Sequence, residues 1–325
     1  MARPKVLVTR ALFDQTRDLL ASVADVDYAD GDVMMPRETL LKRVAGVDGI
    51  VSTLIDRIDS ELLAAAPSLR VVSNVAVGYN NIDVPACTAR GVVVTNTPGV
   101  LDETTADLVF ALLLASARRV AQADAWTRAG QWKGWQFLDP WLGQDVHAAT
   151  LGIIGMGRIG RAVARRAQGF SMRVIYHNRQ ALDDAAGATW VARDELLTTT
   201  DFVVVMVPYS PATHHLIGAA ELAAMKPTAH LINVARGGVV DDVALIAALR
   251  ERRIGGAGLD VFENEPALNP DYFELENVTL TPHIGSSTRA TRLAMAQCAA
   301  RNMLAALAGE VPPNAVNPRV LAGKQ

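Results

Sequence analysis

Three segments late in the chain end apolar runs in residues able to do acid-base and anion chemistry. Asn233-Val234-Ala235-Arg236-Gly237-Gly238 places an arginine before two glycines, and such a guanidinium can hold a carboxylate or polarise a carbonyl with its fork of donors. Gly258-Leu259-Asp260-Val261-Phe262-Glu263-Asn264-Glu265-Pro266 brings carboxylates, and Thr281-Pro282-His283-Ile284-Gly285 brings a histidine. An imidazole fits proton transfer near neutral pH, and a carboxylate beside it fixes its tautomer and raises its basicity. Taken singly, Arg236 also reads as a surface cation, Glu265 as a solvated loop acid and His283 as a satisfied loop histidine. A segment upstream makes them one candidate site.

That segment is Leu151-Gly152-Ile153-Ile154-Gly155-Met156-Gly157-Arg158-Ile159-Gly160, an apolar strand running into GxGxxG and then into a helix beginning Arg161-Ala162-Val163. Gly155 permits the tight turn, Gly157 lets backbone approach a pyrophosphate, and Gly160 lets helix pack on strand, whose N–H groups and dipole then favour the anion. The leading ligand is a nicotinamide or flavin nucleotide. The next strand, Arg173-Val174-Ile175-Tyr176-His177, ends at Asn178-Arg179. There, about 20 residues past the turn, an acid would normally accept from the ribose 2′-hydroxyl. Asn178 does not repel a 2′-phosphate and Arg179 can pair with one, so the strand end suits NADP(H), with NAD(H) also possible. Otherwise Arg179 is an ordinary solvated loop cation.

The elements that position these residues form two α/β units. Strands are predicted over Lys5 to Thr9, Gly49 to Thr53, Leu69 to Val75 and Val92 to Thr95, with helices near Asp14 to Val23 and Asp59 to Ala66. A long apolar helix from about Asp102 to Arg119 would carry the chain to the second unit. There six strands are predicted, Gly152 to Gly155, Arg173 to His177, Phe202 to Val207, His230 to Val234, Gly256 to Val261 and Val278 to Thr281, with a helix over Val239 to Arg250. From Ser286, apolar residues at helical spacing predict a return helix on the first unit, and the tail after Pro312-Pro313 reads as loop. The expected division is residues 1–101 as the first part of a substrate domain, 102–285 as the nucleotide-binding domain, and 286–325 as the completing helix and tail. The fold class is α/β, two Rossmann-like domains with doubly wound parallel sheets and substrate in the cleft between them.

Composition excludes several classes. The 325 residues are half apolar and carry a net charge of −3, with no dense basic run for nucleic acid. The longest apolar stretch, Leu108 to Ala117, is too short for a membrane span, and the N-terminus lacks a signal-type apolar region. Cys87 and Cys298 are the only cysteines and have no partners at metal spacing, so no metal and a cytoplasmic setting are expected.

Over essentially its whole length the chain resembles the D-isomer-specific 2-hydroxyacid dehydrogenases. The likeness rests on Gly155 to Gly160, Val207-Pro208 with Thr213-His214-His215, the Arg236 and Asp260 to Pro266 segments, and Pro282-His283-Ile284-Gly285. Within the family it is most similar to bacterial glyoxylate/hydroxypyruvate reductases that also reduce 2-ketogluconate, through Asp145-Val146-His147 and through Asn178-Arg179 in place of an NAD-type Asp. The resemblance implies His283 as acid/base, Glu265 hydrogen-bonded behind it, and Arg236 orienting the 2-oxo acid. It implies Asp260 near the nicotinamide and the N–H groups of Val77 and Gly78 on the substrate carboxylate. It also implies cofactor contacts from Arg158, Ile159, Val207, Pro208, Thr213, Val234, Ala235, Gly285 and Ser286. Leu54 and Trp141 would limit substrate size. A homodimer built through the nucleotide domain is implied, with the Trp126 to Trp141 region reaching the neighbouring site.

Phosphoglycerate dehydrogenases share these motifs and stay an alternative in their short versions, since the regulatory domain many of them carry is not expected after the return helix. Formate dehydrogenases carry Gln in place of Glu265. A non-enzymatic dinucleotide-sensing corepressor of the same fold keeps similar residues and stays an alternative.

Overall fold

Strands buried on both faces read as continuous apolar runs, because alternate side chains enter opposite cores. Phe202-Val203-Val204-Val205 shows this: Phe202 and Val204 join one core with Leu151, Ile153 and Ile232, whereas Val203 and Val205 join another with Ile154, Leu231 and Leu259. The computed structural model, which describes residues 2–321, divides into two units, Met1–Leu101 with Ser287–Gln325 and Asp102–Ser286.

The first unit runs β1 (Lys5–Val8), α1 (Asp14–Ala21), β2 (Asp25–Tyr28), α2 (Arg37–Arg43), β3 (Gly49–Ser52), α3 (Ser60–Ala65), β4 (Val71–Asn74), α4 (Val84–Ala89) and β5 (Val93–Thr95). All pairs are parallel, in the order β2-β1-β3-β4-β5, the flavodoxin-like winding. Strand β2 was not among the predicted strands. Its sequence Asp25-Val26-Asp27-Tyr28 is a half-exposed edge with no apolar run to mark it.

The second unit runs α5 (Asp102–Ala117), α6 (Val120–Arg128), β6 (Thr150–Ile154), α7 (Arg158–Gln168), β7 (Arg173–His177), β8 (Thr189–Trp190), α8 (Arg193–Thr199), β9 (Phe202–Val205), α9 (Ala219–Ala224), β10 (His230–Asn233), α10 (Asp242–Arg250), β11 (Gly256–Leu259) and β12 (Val278–Leu280). Its sheet order, β12-β11-β10-β9-β6-β7-β8, is the doubly wound dinucleotide-binding arrangement with a seventh strand. The six-strand expectation is corrected by β8, two exposed residues paired to Ile175 and Tyr176 and too short to carry a periodic signal. Helix α5 is apolar on nearly every side because it packs on α7, β10 and β11.

The return helix is α11 (Arg289–Leu307), which packs on α1, β3, β4 and β5 of the first unit. The tail is more ordered than a loop. Val316 N–H donates to Val94 O at 2.8 Å, the Asn317 side chain accepts from Val94 N–H at 2.8 Å, and Pro318–Val320 forms a 3-10 turn. The last four residues of the predicted tail lie outside the described residues.

Candidate active site

The glycine turn joins β6 to α7. Gly155 has φ +105°, and a Cβ there would lie 2.8 Å from Met206 backbone atoms, so the turn needs glycine on both counts. A Cβ on Gly160 would meet Gly155 O at 2.5 Å, which fixes how closely α7 sits on the turn. At Gly157 a Cβ would have nothing within 4 Å. Gly157 is also the N-cap of α7, with no side chain capping the helix, and among the described residues the N–H groups of Arg158, Ile159 and Gly160 have no acceptor. An uncapped helix start behind an open backbone is the donor set a pyrophosphate requires. The residues fit a dinucleotide.

Four hydrogen bonds hold the neighbouring strand end. Met156 N–H donates to Asn178 Oδ1 at 2.8 Å, and the Trp190 indole N–H donates to Asn178 O at 3.0 Å. His177 Nδ1 lies 3.0 Å from Val191 O, and Gly155 N–H donates to His177 O at 3.0 Å. With its oxygen committed to the turn, Asn178 keeps only its amide N–H groups for a ligand. Arg179 is exposed, with no ion pair or hydrogen bond among the described residues.

Arg236, Asp260 and His283 follow β10, β11 and β12 in turn, at the carboxyl ends of adjacent parallel strands, where open α/β sheets bind ligands. His283 Nδ1 lies 2.7 Å from Glu265 Oε2, their side chains 24 and 27 % exposed. Glu265 Oε1 accepts from Phe262 N–H at 2.8 Å. Burial pushes the Glu265 carboxyl up, but its hydrogen bond and charge interaction with His283, the Phe262 N–H and the Arg236 charge outweigh it, leaving it below the ordinary carboxylate range. Arg236 is half-buried, donates from Nη1 to Ala235 O at 2.9 Å, and is lowered by burial against the opposing pull of Glu265.

Asp260 is 1 % exposed, and its oxygens accept from Thr281 Oγ1 at 2.6 Å, Ile284 N–H at 2.7 Å and Gly285 N–H at 2.8 Å. Burial raises its carboxyl despite these donors. The geometry makes Asp260 the anchor of the turn that carries His283, which holds its backbone at φ +55°.

The other predicted residues distribute as follows. Val207 lies where a Cβ on Gly155 would meet it at 2.9 Å, and Val234 packs against the Gly285 position. The Thr213 hydroxyl donates to Pro208 O at 2.7 Å and accepts from Ser210 N–H at 2.8 Å, so it closes its own loop. Ala235 N–H donates to Asn233 Oδ1 at 3.1 Å, and Ser286 ends the unit half-buried. In the first unit, Val77 and Gly78 form a half-exposed turn after β4 and Leu54 lies half-buried after β3. Trp141 packs edge-on to Trp126 at 5.8 Å and under the Arg119 guanidinium at 4.9 Å.

Sequence reasoning missed the clasp formed by His215 Nε2 and Glu263 Oε1 at 2.5 Å, which ties the Thr213 loop to the Glu265 loop. It also missed Asp242, which accepts from Glu263 N–H and from the Tyr272 hydroxyl, each at 3.0 Å. The carboxylates of the Glu263 loop and the paired histidines were the available signal. Among the described residues, no group of three or more His, Cys, Asp and Glu is arranged to hold a metal, and no helix is long and apolar enough to cross a membrane.

The chain is similar to known proteins over nearly its whole length. Residues 110–285 match the model of the D-isomer specific 2-hydroxyacid dehydrogenase NAD binding domain. The chain is 50 % identical to a glyoxylate reductase of Thermococcus gammatolerans over 99 % of this chain and 98 % of the relative. Among solved structures it resembles the NADPH-dependent glyoxylate/hydroxypyruvate reductase of Sinorhizobium meliloti in complex with NADP and malonate, with TM-score 0.86 and 34 % identity over 98 % of each chain. It also resembles a glyoxylate reductase from Paecilomyes thermophila, with TM-score 0.88 and 33 % identity over 98 % of this chain and 100 % of that one.

Proposed function

The chain belongs to the D-isomer-specific 2-hydroxyacid dehydrogenase family, and we propose that it reduces glyoxylate, hydroxypyruvate and 2-ketogluconate to D-2-hydroxy acids, preferring NADPH to NADH. That it is a D-2-hydroxyacid dehydrogenase reducing 2-oxo acids with a nicotinamide dinucleotide follows from full-length likeness to glyoxylate reductases. The observation that carries the mechanism is the His283–Glu265 hydrogen bond beside Arg236, beyond a glycine turn that fits a pyrophosphate.

When bound, the nicotinamide supplies the hydride to the substrate carbonyl carbon. The chain supplies the rest. Glu265, ionised, accepts from His283 Nδ1–H, so protonated Nε2 faces the carbonyl oxygen and releases its proton as alkoxide charge grows. Arg236 orients the carboxylate and polarises the carbonyl with its planar fork. The N–H groups of Val77 and Gly78 grip the carboxylate, while Leu54 and Trp141 limit the substrate side chain. Asp260 keeps His283 in place through the turn it anchors. Gly155, Gly157, Arg158, Ile159 and Gly160 hold the pyrophosphate, Asn178 and Arg179 the 2′-phosphate, and Val207, Pro208, Thr213, Val234, Ala235, Gly285 and Ser286 line the rest of the dinucleotide.

The NADPH preference rests on the absent carboxylate at 178 and on Arg179, which has no partner among the described residues. A cytoplasmic homodimer built through the second unit completes the proposal. Its support is the segment where Trp135, Phe137 and Leu138 are 78, 80 and 77 % exposed, an apolar surface that a second copy would cover. Steady-state kinetics with the three oxo acids, pyruvate and 3-phosphohydroxypyruvate, each with NADPH and NADH, test the assignment. Partner binding without turnover of any of them would turn it toward a corepressor.

A further inference from the structure

The turn after β4 has all three of its carbonyls taken from within the first unit. Ala76 O accepts from Thr97 N–H at 2.9 Å, Val77 O from Asn96 Nδ2 at 2.8 Å, and Gly78 O from Asn74 Nδ2 at 2.9 Å. No acceptor among the described residues faces the N–H groups of Val77, Gly78 and Tyr79. A run of peptides whose oxygens are drawn inward turns its N–H groups outward and makes a concavity for an anion.

The two asparagines are themselves held. Asn74 is fully buried, and its Oδ1 accepts from Ser52 Oγ at 3.2 Å, so only its amide nitrogen can turn toward Gly78. Asn96 is half-buried, its N–H donating to Asn314 O at 3.3 Å and its O accepting from Asn302 Nδ2 at 3.0 Å. Helix α11 and the tail thus hold the backbone of the residue whose side chain holds the Val77–Gly78 peptide. Neither asparagine belongs to the residues that bind substrate in the reading above.

We propose that Asn96 and Asn74 are positioning residues for the substrate carboxylate, holding the Val77–Gly78 and Gly78–Tyr79 peptides so that the N–H groups of Gly78 and Tyr79 turn to the anion. The inference rests on the 2-oxo acid reading. Without either amide donor, the peptide it restrains can rotate and present a carbonyl lone pair where the carboxylate binds. The loss falls on anion affinity rather than on the nucleotide, whose turn lies in the other unit.

The test uses the full-length enzyme with saturating cofactor and oxalate, a two-carbon dicarboxylate, titrated against wild type, Asn74→Leu and Asn96→Leu. Each variant is expected to weaken oxalate about ten- to hundredfold, the scale of a hydrogen bond to a charged group, and to raise the glyoxylate KM similarly. The dissociation constant for NADPH, measured without substrate, should stay within about twofold, as a general loss of structure would not allow. Asn96→Leu decides the matter if the buried Asn74→Leu does not fold by far-UV circular dichroism. Unchanged oxalate affinity in the folded variants overturns the proposal, as does wild-type enzyme that does not bind oxalate. Oxalate binding in an enzyme that turns over no oxo acid would instead remove the functional reading and leave the role of the asparagines standing.

Discussion

His283 Nδ1 and Glu265 Oε2 lie 2.7 Å apart, and an ionised carboxylate can only accept, so the shared proton sits on the imidazole. Burial works against the charge on Glu265, but His283, the Phe262 N–H and Arg236 overcome it and keep the carboxyl below its ordinary range. A group held low in this way contributes fully above its unfolded value, and the contribution is lost only as pH falls through the lowered folded value.

The first prediction follows. His283→Ala should lower turnover by about 10² to 10⁴, the usual share of a positioned general acid, with cofactor affinity nearly unchanged. Glu265→Gln keeps an acceptor but removes the charge and should cost about ten- to hundredfold in kcat/KM. Steady-state kcat/KM for glyoxylate with NADPH at pH 7, measured for wild type and both variants, checks this, and an unchanged value in Glu265→Gln would remove its charge from the mechanism.

Gly237 gives the second. A Cβ at this position would lie 1.7 Å from Phe262 O and 2.3 Å from Phe262 C, so two backbone segments touch here with no side chain to yield. One carries Arg236 and the other carries Glu265. Gly237→Ala must push them apart and should cost roughly 3 kcal/mol in urea unfolding, at the upper end of overpacking effects. It should also reduce kcat/KM for 2-oxo acids by more than it weakens the cofactor. Wild-type stability and activity would show that the loops part freely.

Arg236, Asp260 and His283 were legible as candidate site residues because each follows an apolar strand, and a parallel sheet delivers successive strand ends to one edge. Arg236, Asp260 and His283 are far apart in the chain but follow β10, β11 and β12, which pair side by side. Elements without such a signal were missed. Strand β2 is an edge of two aspartates, one valine and one tyrosine, and β8 has two residues. The supporting hydrogen bonds were also invisible, since an asparagine such as Asn74 is indistinguishable in sequence from a turn residue until its burial is known. The expected position of Asp260 near the nicotinamide is compatible with its hydrogen bonds, which also tie it to the turn bearing His283.

His230 carries the third prediction, on stability. It begins β10 at 7 % exposure, hydrogen-bonded to Ser116 Oγ at 2.8 Å and tilted on Phe202. Burial lowers its value from 6.5 to about 4. Between those values the unfolded chain binds a proton that the folded chain refuses, so stability falls as pH drops from the unfolded value and levels off below the folded one. The span corresponds to about 3 kcal/mol. His230→Gln has no such titration. The difference in unfolding free energy between wild type and His230→Gln should therefore change by about that amount between pH 7 and 4 in urea melts. Parallel pH profiles would show that His230 protonates in place.

The last prediction concerns cofactor choice. Asn178 Oδ1 accepts from Met156 N–H at 2.8 Å, while Trp190 Nε1–H holds the Asn178 carbonyl at 3.0 Å. Asn178→Asp can keep the first bond, since a carboxylate oxygen also accepts, so the glycine turn should survive while a negative charge enters beside the ribose. That charge repels a 2′-phosphate and accepts from a free 2′-hydroxyl. Arg179, exposed and without a partner among the described residues, is available for one charge-assisted bond to the phosphate, worth roughly 1.5 to 3 kcal/mol or about one to two powers of ten in affinity. Arg179→Ala should raise the Michaelis constant for NADPH by about that factor and leave NADH nearly unchanged. Adding Asn178→Asp should carry the preference over to NADH. Kinetics with both cofactors at matched ionic strength check this, because screening weakens the Arg179 contribution as salt rises. Equal efficiency of wild type with NADH and NADPH would remove Arg179 from cofactor selection and leave the chemistry at His283 untouched.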